Sequence, residues 1–177
     1  MADFNQAYQL MLAHEGGYSN NPSDQGGETY RGIARNRNGN WDGWATVDSM
    51  KLQPGFPDSL DENMELQMKA ATFYRTNFWN PMNGDKLTNQ QVANSIFDFG
   101  VNAGMKTSVM LAQKVVKVNV DGSLGPISLS KLNLIDTELF IAAFTVAKIA
   151  RYIDIVKSNN KNALFFFGWV CRALGVN

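Results

Sequence analysis

Glu15 is the side chain in this sequence best placed for acid catalysis. The spacing of apolar residues over 3–15 predicts a helix, and Glu15 continues its apolar face. Partial burial and the negative end of the helix dipole both raise the pKa of a carboxyl at this position. A protonated carboxyl beside a cleft can donate a proton to the leaving oxygen of a glycosidic bond. From spacing alone, a surface glutamate beside a loop is the alternative interpretation.

A segment rich in Gly, Asn and Asp, residues 17–40, carries two further candidates for chemistry. It is too long for a simple connection, and long ordered loops often carry function. Asp24 lies nine residues after Glu15, and Thr29 lies five residues further on. In an inverting glycosidase a second carboxylate activates water across the bond, which Asp24 could do while Thr29 orients the water. Asp is equally favoured before two glycines as an ordinary turn residue.

Three other residues are candidates for substrate binding. Asp98 and Asn102 lie one helical turn apart on a predicted helix over 88–104, where their polar side chains could hydrogen-bond a ligand. A packed helix with no ligand is the alternative. Among the aromatic residues we expect Tyr30 to stack on a sugar ring. Glu28 is a further carboxyl close to these residues in sequence, and its role is left unassigned.

The composition of the 177-residue chain excludes several classes of protein. Lys plus Arg and Asp plus Glu are both 16, so no basic excess favours nucleic acid. Cys171 is the single cysteine and there is one histidine, so neither an internal disulfide nor a structural zinc site is expected. No metal and no cofactor is implied. The N-terminal residues lack a signal-peptide pattern, and no apolar stretch is long enough to cross a bilayer.

The periodic segments predict a mainly α fold. Helices are expected over 3–15, 59–79, 88–104, 107–118 and 136–156, with a last helix near the C-terminus. Ser59 with Glu62, and Thr88 with Gln91, form patterns typical of a capping box at a helix start. The 136–156 helix is apolar nearly all round, which predicts a buried central helix. A short hairpin in the glycine-rich segment is the only β-structure expected.

Four segments of the chain resemble the glycoside hydrolase family 108 muramidases, some of which are known as secretion activator proteins. Residues 14–34, which run from His-Glu-Gly-Gly-Tyr through Gly-Gly-Glu-Thr, are similar to the family signature. Residues 97–104 are similar to its second motif. Residues 120–126 resemble the start of the predicted peptidoglycan-binding region paired with the family, and 167–172 resemble its closing Gly-Trp segment. The resemblance therefore covers nearly the whole chain.

The resemblance implies a lysozyme-like fold with Glu15 as the catalytic acid. The order Glu, Asp, Thr is also similar to that of the phage lysozymes, in which Asp and Thr handle the water. The step from Asp24 to Thr29 is one residue shorter here than in that group, which leaves the role of Thr29 open. Many relatives have Asn where this chain has Tyr30 and Thr where it has Ala34, changes that we expect to affect glycan contacts. The resemblance also implies that the helix over 88–104 can line the cleft, where Asp98 and Asn102 could hydrogen-bond the N-acetyl groups of the glycan.

The expected function is cleavage of the β-1,4 bonds of bacterial peptidoglycan, with the glycan strands as the partner. Residues 1–104 are expected to form the lysozyme-like catalytic region, and 105–177 a helical predicted peptidoglycan-binding region packed onto it as one compact unit. We expect a monomer that is made in the cytoplasm and acts in the periplasm or cell wall after release, without membrane insertion. Two alternatives stay open: a lytic transglycosylase, and a non-catalytic wall-binding or secretion-associated protein on the same scaffold.

Overall fold

A computed structural model of the chain describes residues 1–13, 16–21 and 26–176. The predictions for Glu15 and Asp24 lie outside the described residues. Contacts within the chain divide it into two units: an N-terminal unit, Asp3–Pro81, and a C-terminal unit, Met1–Ala2 with Met82–Asn177. The boundary between these units, at Pro81 and Met82, reflects packing and differs from the expected boundary between a catalytic region, 1–104, and a peptidoglycan-binding region, 105–177. The expected functional boundary stays a prediction.

Among the residues that the structure describes, the N-terminal unit contains three α-helices. They are α1 (Phe4–Leu12), α2 (Gly43–Met50) and α3 (Met64–Tyr74), with a 3₁₀ turn over Asp58–Glu62 and a π-helical turn over Arg75–Trp79. The Asp3 side chain accepts a hydrogen bond from the Gln6 N–H and begins α1, as an N-cap residue does. The apolar face of α1 packs on aromatic side chains: Phe4 stacks on Tyr8, and Tyr8 contacts Tyr74. This face holds α1 against the core of the unit.

A small antiparallel sheet follows α1. Its strands are β1 (Tyr18–Ser19), β2 (Thr29–Tyr30) and β3 (Ile33–Ala34), with β2 in the centre. Arg31 and Gly32 connect β2 to β3, and both have positive φ, +46° and +80°. Two-residue hairpin turns need this backbone because it matches the twist of the strands. The expected mainly α fold with a short hairpin after the first helix is thus confirmed.

Two helix starts differ from those expected. The Ser59 pattern lies in the 3₁₀ turn, and α3 begins instead after Asn63, whose side chain accepts from the Leu66 N–H. The Asn89 side chain, rather than Thr88, accepts from the Val92 N–H and begins the next helix. Asn caps a helix as well as Ser or Thr does, so the capping-box pattern selected the wrong one of several competent residues.

The C-terminal unit contains five α-helices among the described residues. They are α4 (Gln90–Ala103), α5 (Met105–Val115), α6 (Pro126–Leu134), α7 (Thr137–Ser158) and α8 (Ala163–Leu174), with 3₁₀ turns at Gly84–Lys86 and Asn160–Asn162. Helix α4 packs against α5 and α7, and α7 packs against α8. Phe99 makes edge contacts with Phe144 and Tyr152 of α7, which joins α4 to α7 in the core.

Helix α7 is not the buried central helix that its composition predicts. Its buried residues are Phe140, Phe144, Lys148 and Tyr152, which lie four positions apart on a single face. On the opposite face Val146 is 66% exposed. An apolar composition all round a helix therefore does not imply burial on every side here.

The side chain of Gln113 organises the connection between α5 and α6. It is fully buried, and its Nε2 donates to Asp121 Oδ1 at 2.8 Å and to the Ser123 carbonyl at 2.9 Å. Its Oε1 accepts from the Gly122 N–H at 2.9 Å. Buried polar groups of a turn are costly unless they are paired, and one amide here pairs several of them. The Gln113 side chain thus fixes the turn that leads into α6.

Replacing Gln113 by Leu should lower the free energy of unfolding by about 3 kcal/mol, because it removes the hydrogen bonds of a buried amide to the turn and to the buried Ser128 hydroxyl. Gln91→Leu is the matched control, since Gln91 is exposed on α4 and the same substitution there should change stability by less than about 0.5 kcal/mol. Urea unfolding measures both. Equal stability of the two variants would contradict the role given to the Gln113 side chain.

Candidate functional site

The glycine-rich segment is closed at its base by the pairing of β1 with β2. Tyr18 is opposite Tyr30 and Ser19 is opposite Thr29 in the register. The chain between the two strands, residues 20–28, therefore leaves and re-enters the sheet at neighbouring points. Asp24 belongs to this closed segment by sequence, and Glu15 belongs to the short connection between α1 and β1.

A small cavity of about 200 Å³ lies between the end of α1 and the β2–β3 turn. Its lining residues are Leu12, Gly16, Gly17, Arg31 and Asp61. Three of these flank positions 14 and 15 in the sequence. The cavity therefore gives room for a ligand group beside the segment that carries the predicted acid.

Arg31 is the cation of this cavity, and its position is fixed from several directions. Its backbone N–H donates to the Gly17 carbonyl at 2.9 Å, and its own carbonyl accepts from the Tyr74 hydroxyl at 2.7 Å. Its guanidinium Nη2 lies 3.1 Å from Asp61 Oδ1. The same guanidinium lies 5.5 Å from the centre of the Tyr30 ring. These contacts hold the left-handed backbone of Arg31 and neutralise its charge.

Thr29 lies in β2, next to Glu28 and half-buried. Its hydroxyl Oγ1 donates to the Gly27 carbonyl at 3.1 Å. A hydroxyl that donates its single proton keeps lone pairs that can still accept a hydrogen bond. Thr29 is therefore able to accept a hydrogen bond from a water molecule, and its predicted role in orienting water stays a prediction.

Glu28, left without a role by the sequence, is the centre of a buried ionic cluster. It is 9% exposed, and its carboxylate accepts from the Tyr18 hydroxyl at 2.7 Å. Arg35 Nε lies 2.8 Å from one of its oxygens and Lys51 Nζ lies 2.7 Å from the other. A nearly buried carboxylate with these three partners is poorly placed to reach a substrate water.

Asp48 completes the Glu28 cluster on its outer side. It is bound by the same two cations, with Arg35 Nη2 and Lys51 Nζ each 2.8 Å from Oδ1. The hydrogen bonds from Arg35, and then those from Lys51, lower the pKa of the Asp48 carboxyl to about 2. Because Asp48 is close to half exposed, water screens this pairing far more than it screens that of Glu28.

The structure corrects the expectation for Tyr30. Its side chain is 0% exposed, its ring stacks on Trp41 with centroids 6.2 Å apart, and its hydroxyl donates to the Leu60 carbonyl at 3.3 Å. A ring with no accessible face cannot stack on a sugar. The alternation of the β2 strand turns this residue inward, because successive side chains of a strand point to opposite faces. Tyr30 is a core residue of the N-terminal unit.

Asp98 and Asn102 both lie on α4, in the C-terminal unit. Asp98 Oδ1 pairs with Arg172 Nη2 at 3.1 Å, and the Asn102 side chain donates to the backbone carbonyl of Asp98 at 2.9 Å. Both side chains thus have partners within their own unit. The glycan contact predicted for them stays a prediction.

The sequence reasoning passed over Lys148, the charged residue on the buried face of α7. Its side chain is largely buried, and its ammonium lies 5.5 Å from the centre of the Phe144 ring. Burial lowers the pKa of Lys148, and the negative charge of Asp98 opposes this effect. The sequence did carry a signal for this burial: Lys148 lies four residues from both Phe144 and Tyr152, on the same face of α7.

Among the residues that the structure describes, no group of three or more His, Cys, Asp and Glu side chains could hold a metal ion. None of the described helices is long and apolar enough to cross a membrane.

Replacing Tyr30 by Phe should lower the free energy of unfolding by about 1 kcal/mol, because it removes one buried hydrogen bond. The KM for the predicted glycan substrate should not change, since the ring is inaccessible. Chemical unfolding and steady-state kinetics measure the two effects. A raised KM with unchanged stability would instead support the original expectation of a sugar contact.

Replacing Glu28 by Gln should lower the free energy of unfolding by about 3 kcal/mol, because it leaves two partly buried cations without their counter-charge. Asp48→Asn is the matched control: it contacts the same two cations from the surface, and its loss should be at most about 1 kcal/mol. Unfolding in urea at pH 7 compares the two variants. A larger loss for Asp48→Asn would show that the buried carboxylate is not the main anchor.

Comparison with known proteins agrees with this architecture. A family model described as "Glycosyl hydrolase 108" matches residues 8–104, and one described as "Predicted Peptidoglycan domain" matches residues 107–174. A solved structure titled "Structure of Brucella abortus SagA" is similar, with 28% sequence identity and a TM-score of 0.68 over 96% of this chain and 88% of that chain. No curated protein matched. The fold is lysozyme-like and mainly α. With more than half of its length matched by the first model, the chain belongs to glycosyl hydrolase family 108, as a glycoside hydrolase that acts on peptidoglycan.

Proposed function

We propose that this chain is an N-acetylmuramidase, which hydrolyses the β-1,4 bond that follows N-acetylmuramic acid in peptidoglycan. The observation that carries the proposal is the family match over residues 8–104, because it spans Glu15, Asp24 and Thr29 together. The closed segment between β1 and β2 and the cavity beside α1 support it. Glycoside hydrolysis needs an acid for the leaving oxygen and a second group for the water, and this part of the chain holds candidates for both.

Glu15 is the proposed general acid. It follows α1, whose buried face anchors this part of the chain, and residues on both sides of it in the sequence line the small cavity. An acid catalyst must keep its proton until the reaction, and an unpaired cation nearby would lower its pKa. The cation of the cavity is Arg31, whose charge is offset by Asp61 at 3.1 Å. This pairing favours a protonated carboxyl in the neighbouring segment.

Asp24, assisted by Thr29, is proposed to position and activate the attacking water. Glu28 is the other carboxylate near β2, and its burial against Tyr18, Arg35 and Lys51 leaves it poorly placed to reach water. Asp24 is then the remaining carboxylate of the closed segment. The lone pairs of the Thr29 hydroxyl, which donates its own proton to Gly27, could accept a hydrogen bond from the same water.

The Glu15→Gln variant tests the acid role directly. Incubated with purified bacterial sacculi, it should release soluble fragments at least about 100-fold more slowly than the unmodified chain, since loss of a general acid costs a factor of about 10² to 10⁴. Glu62→Gln is the matched control, because it makes the same chemical change at an exposed residue of the 3₁₀ turn. Mass spectrometry should identify fragments that end in reducing muramic acid.

Other products would redirect the assignment. Fragments with anhydro-muramic acid ends, together with full activity of Asp24→Ala, would indicate a lytic transglycosylase, which needs no carboxylate to activate water. Folded protein that binds sacculi without releasing fragments would indicate a non-catalytic wall-binding protein. Equal activity of Glu15→Gln and Glu62→Gln would exclude Glu15 as the acid.

A further inference from the structure

The C-terminal unit has its own groove, at the junction of α5 and α6. Two neighbouring cavities, of about 520 Å³ and about 290 Å³, form it. The larger is bounded by the turn after α5 and by the start of α6, and the smaller by the last turn of α5 and the end of α6. Lys117 and Lys131 line both cavities. We call this feature the lysine groove, after the two side chains that its cavities share.

The two lysines are the free charges of the lysine groove. Within the part of the chain that the structure describes, neither ammonium forms an ion pair with a carboxylate. Asp121 also lines the larger cavity, but its Oδ1 already accepts from Gln113 and from the Ser123 N–H. The hydrogen bond from Gln113 has the largest effect on the pKa of Asp121, which it lowers, and the hydrogen bond from the Ser123 backbone acts in the same direction. The described charged side chains of the groove are thus two unpaired lysines and one carboxylate, which together carry a net positive charge.

The beginning of α6 adds to the positive character of the groove. Gly125 is the N-cap and provides no side-chain hydrogen bond to the first turn, and Pro126 follows it. The first N–H groups of a helix carry a partial positive charge and lack partners within the helix. Residues of this first turn line the larger cavity together with both lysines. The shape and charge of the site therefore suit an anion.

The walls of the lysine groove are apolar. Ile127 is 73% exposed beside the larger cavity, and Leu134 borders the smaller one. Among the described residues, no aromatic ring lines either cavity. Sugar rings are commonly held by aromatic faces, whereas small aliphatic side chains such as Ile suit methyl groups. The ligand indicated is therefore an anion with small apolar groups, rather than a bare sugar chain.

Peptidoglycan contains such a group. The lactyl carboxyl of muramic acid is consumed in the amide bond to the peptide stem, so the free carboxylates of the polymer lie on the stems, next to alanine methyl groups. We propose that the lysine groove binds the peptide stems of peptidoglycan, with Lys117 and Lys131 pairing with stem carboxylates and Ile127 contacting alanine methyl groups. This inference rests on the proposed function in that both take peptidoglycan as the ligand.

The support of the groove makes it a defined site. Lys117 has a left-handed backbone, with φ +55°, and lies two residues after the end of α5. The buried Gln113 amide holds the backbone of Gly122 and Ser123, in the turn that bounds the larger cavity. Backbone fixed in this way has less conformational freedom to lose when a ligand binds.

The test uses the full chain with Glu15→Gln, so that the sacculi are not degraded during binding. The double variant Lys117→Gln, Lys131→Gln should bind intact sacculi roughly tenfold more weakly in a pelleting assay, since it loses two charge pairs. Lys114→Gln, Lys161→Gln is the matched control: it removes the same charge at exposed lysines outside the groove and should bind normally. Thermal unfolding should show that both double variants remain folded.

A second ligand distinguishes stems from glycan. Chitin, a β-1,4-linked N-acetylglucosamine polymer with neither lactyl groups nor peptide stems, should bind the groove variant and its control equally. Equal weakening of both double variants on intact sacculi, no weakening of either, or a loss by the groove variant that persists on chitin would overturn the inference. Failure of Glu15→Gln to abolish fragment release would refute only the proposed acid, because binding through the lysine groove is measured separately.

Discussion

The structure of the candidate site depends on one buried carboxylate. Glu28 receives a hydrogen bond from β1 through Tyr18, an ion pair from the end of the hairpin through Arg35, and another from the end of α2 through Lys51. Three elements that are distant in sequence are thereby fixed to the residue that precedes Thr29. A desolvated charge is tolerated only where its partners are all present, so the cluster permits one arrangement of the hairpin against α2. The segment that carries Asp24 begins and ends at this cluster.

Charge is handled differently in the two units. In the N-terminal unit the cations near the hairpin are paired: Arg31 with Asp61, and Arg35 and Lys51 with Glu28. In the lysine groove the cations are left for a ligand. This difference fits the proposed division of work, in which the N-terminal unit performs acid chemistry in a nearly neutral setting and the lysine groove holds an anionic polymer by its charges.

The sequence predicts what depends on local spacing. The apolar period identified α1 and α4, and the glycine pattern identified the hairpin segment. It predicts less well where neighbouring residues compete for one role, as Thr88 and Asn89 do for a helix start. It fails where the answer depends on residues brought together only by folding. The Glu28 cluster joins positions 18, 35 and 51, and no local pattern reveals that they meet. Tyr30 was misassigned because β2 is only two residues long, which is too short for the alternation of apolar and polar residues to show which face is buried.

The first residues of the chain belong to the unit formed by its last residues. The Ala2 N–H donates to the Leu87 carbonyl at 2.7 Å, and Ala2 itself is buried. In connectivity, the segment Asp3–Pro81 is therefore an insertion, joined covalently to the C-terminal unit at both of its ends. If that segment unfolds while the C-terminal unit stays intact, it becomes a closed loop rather than a free chain. A closed loop has less conformational entropy to gain, so the C-terminal unit acts on the stability of the inserted segment in the way that a covalent cross-link would.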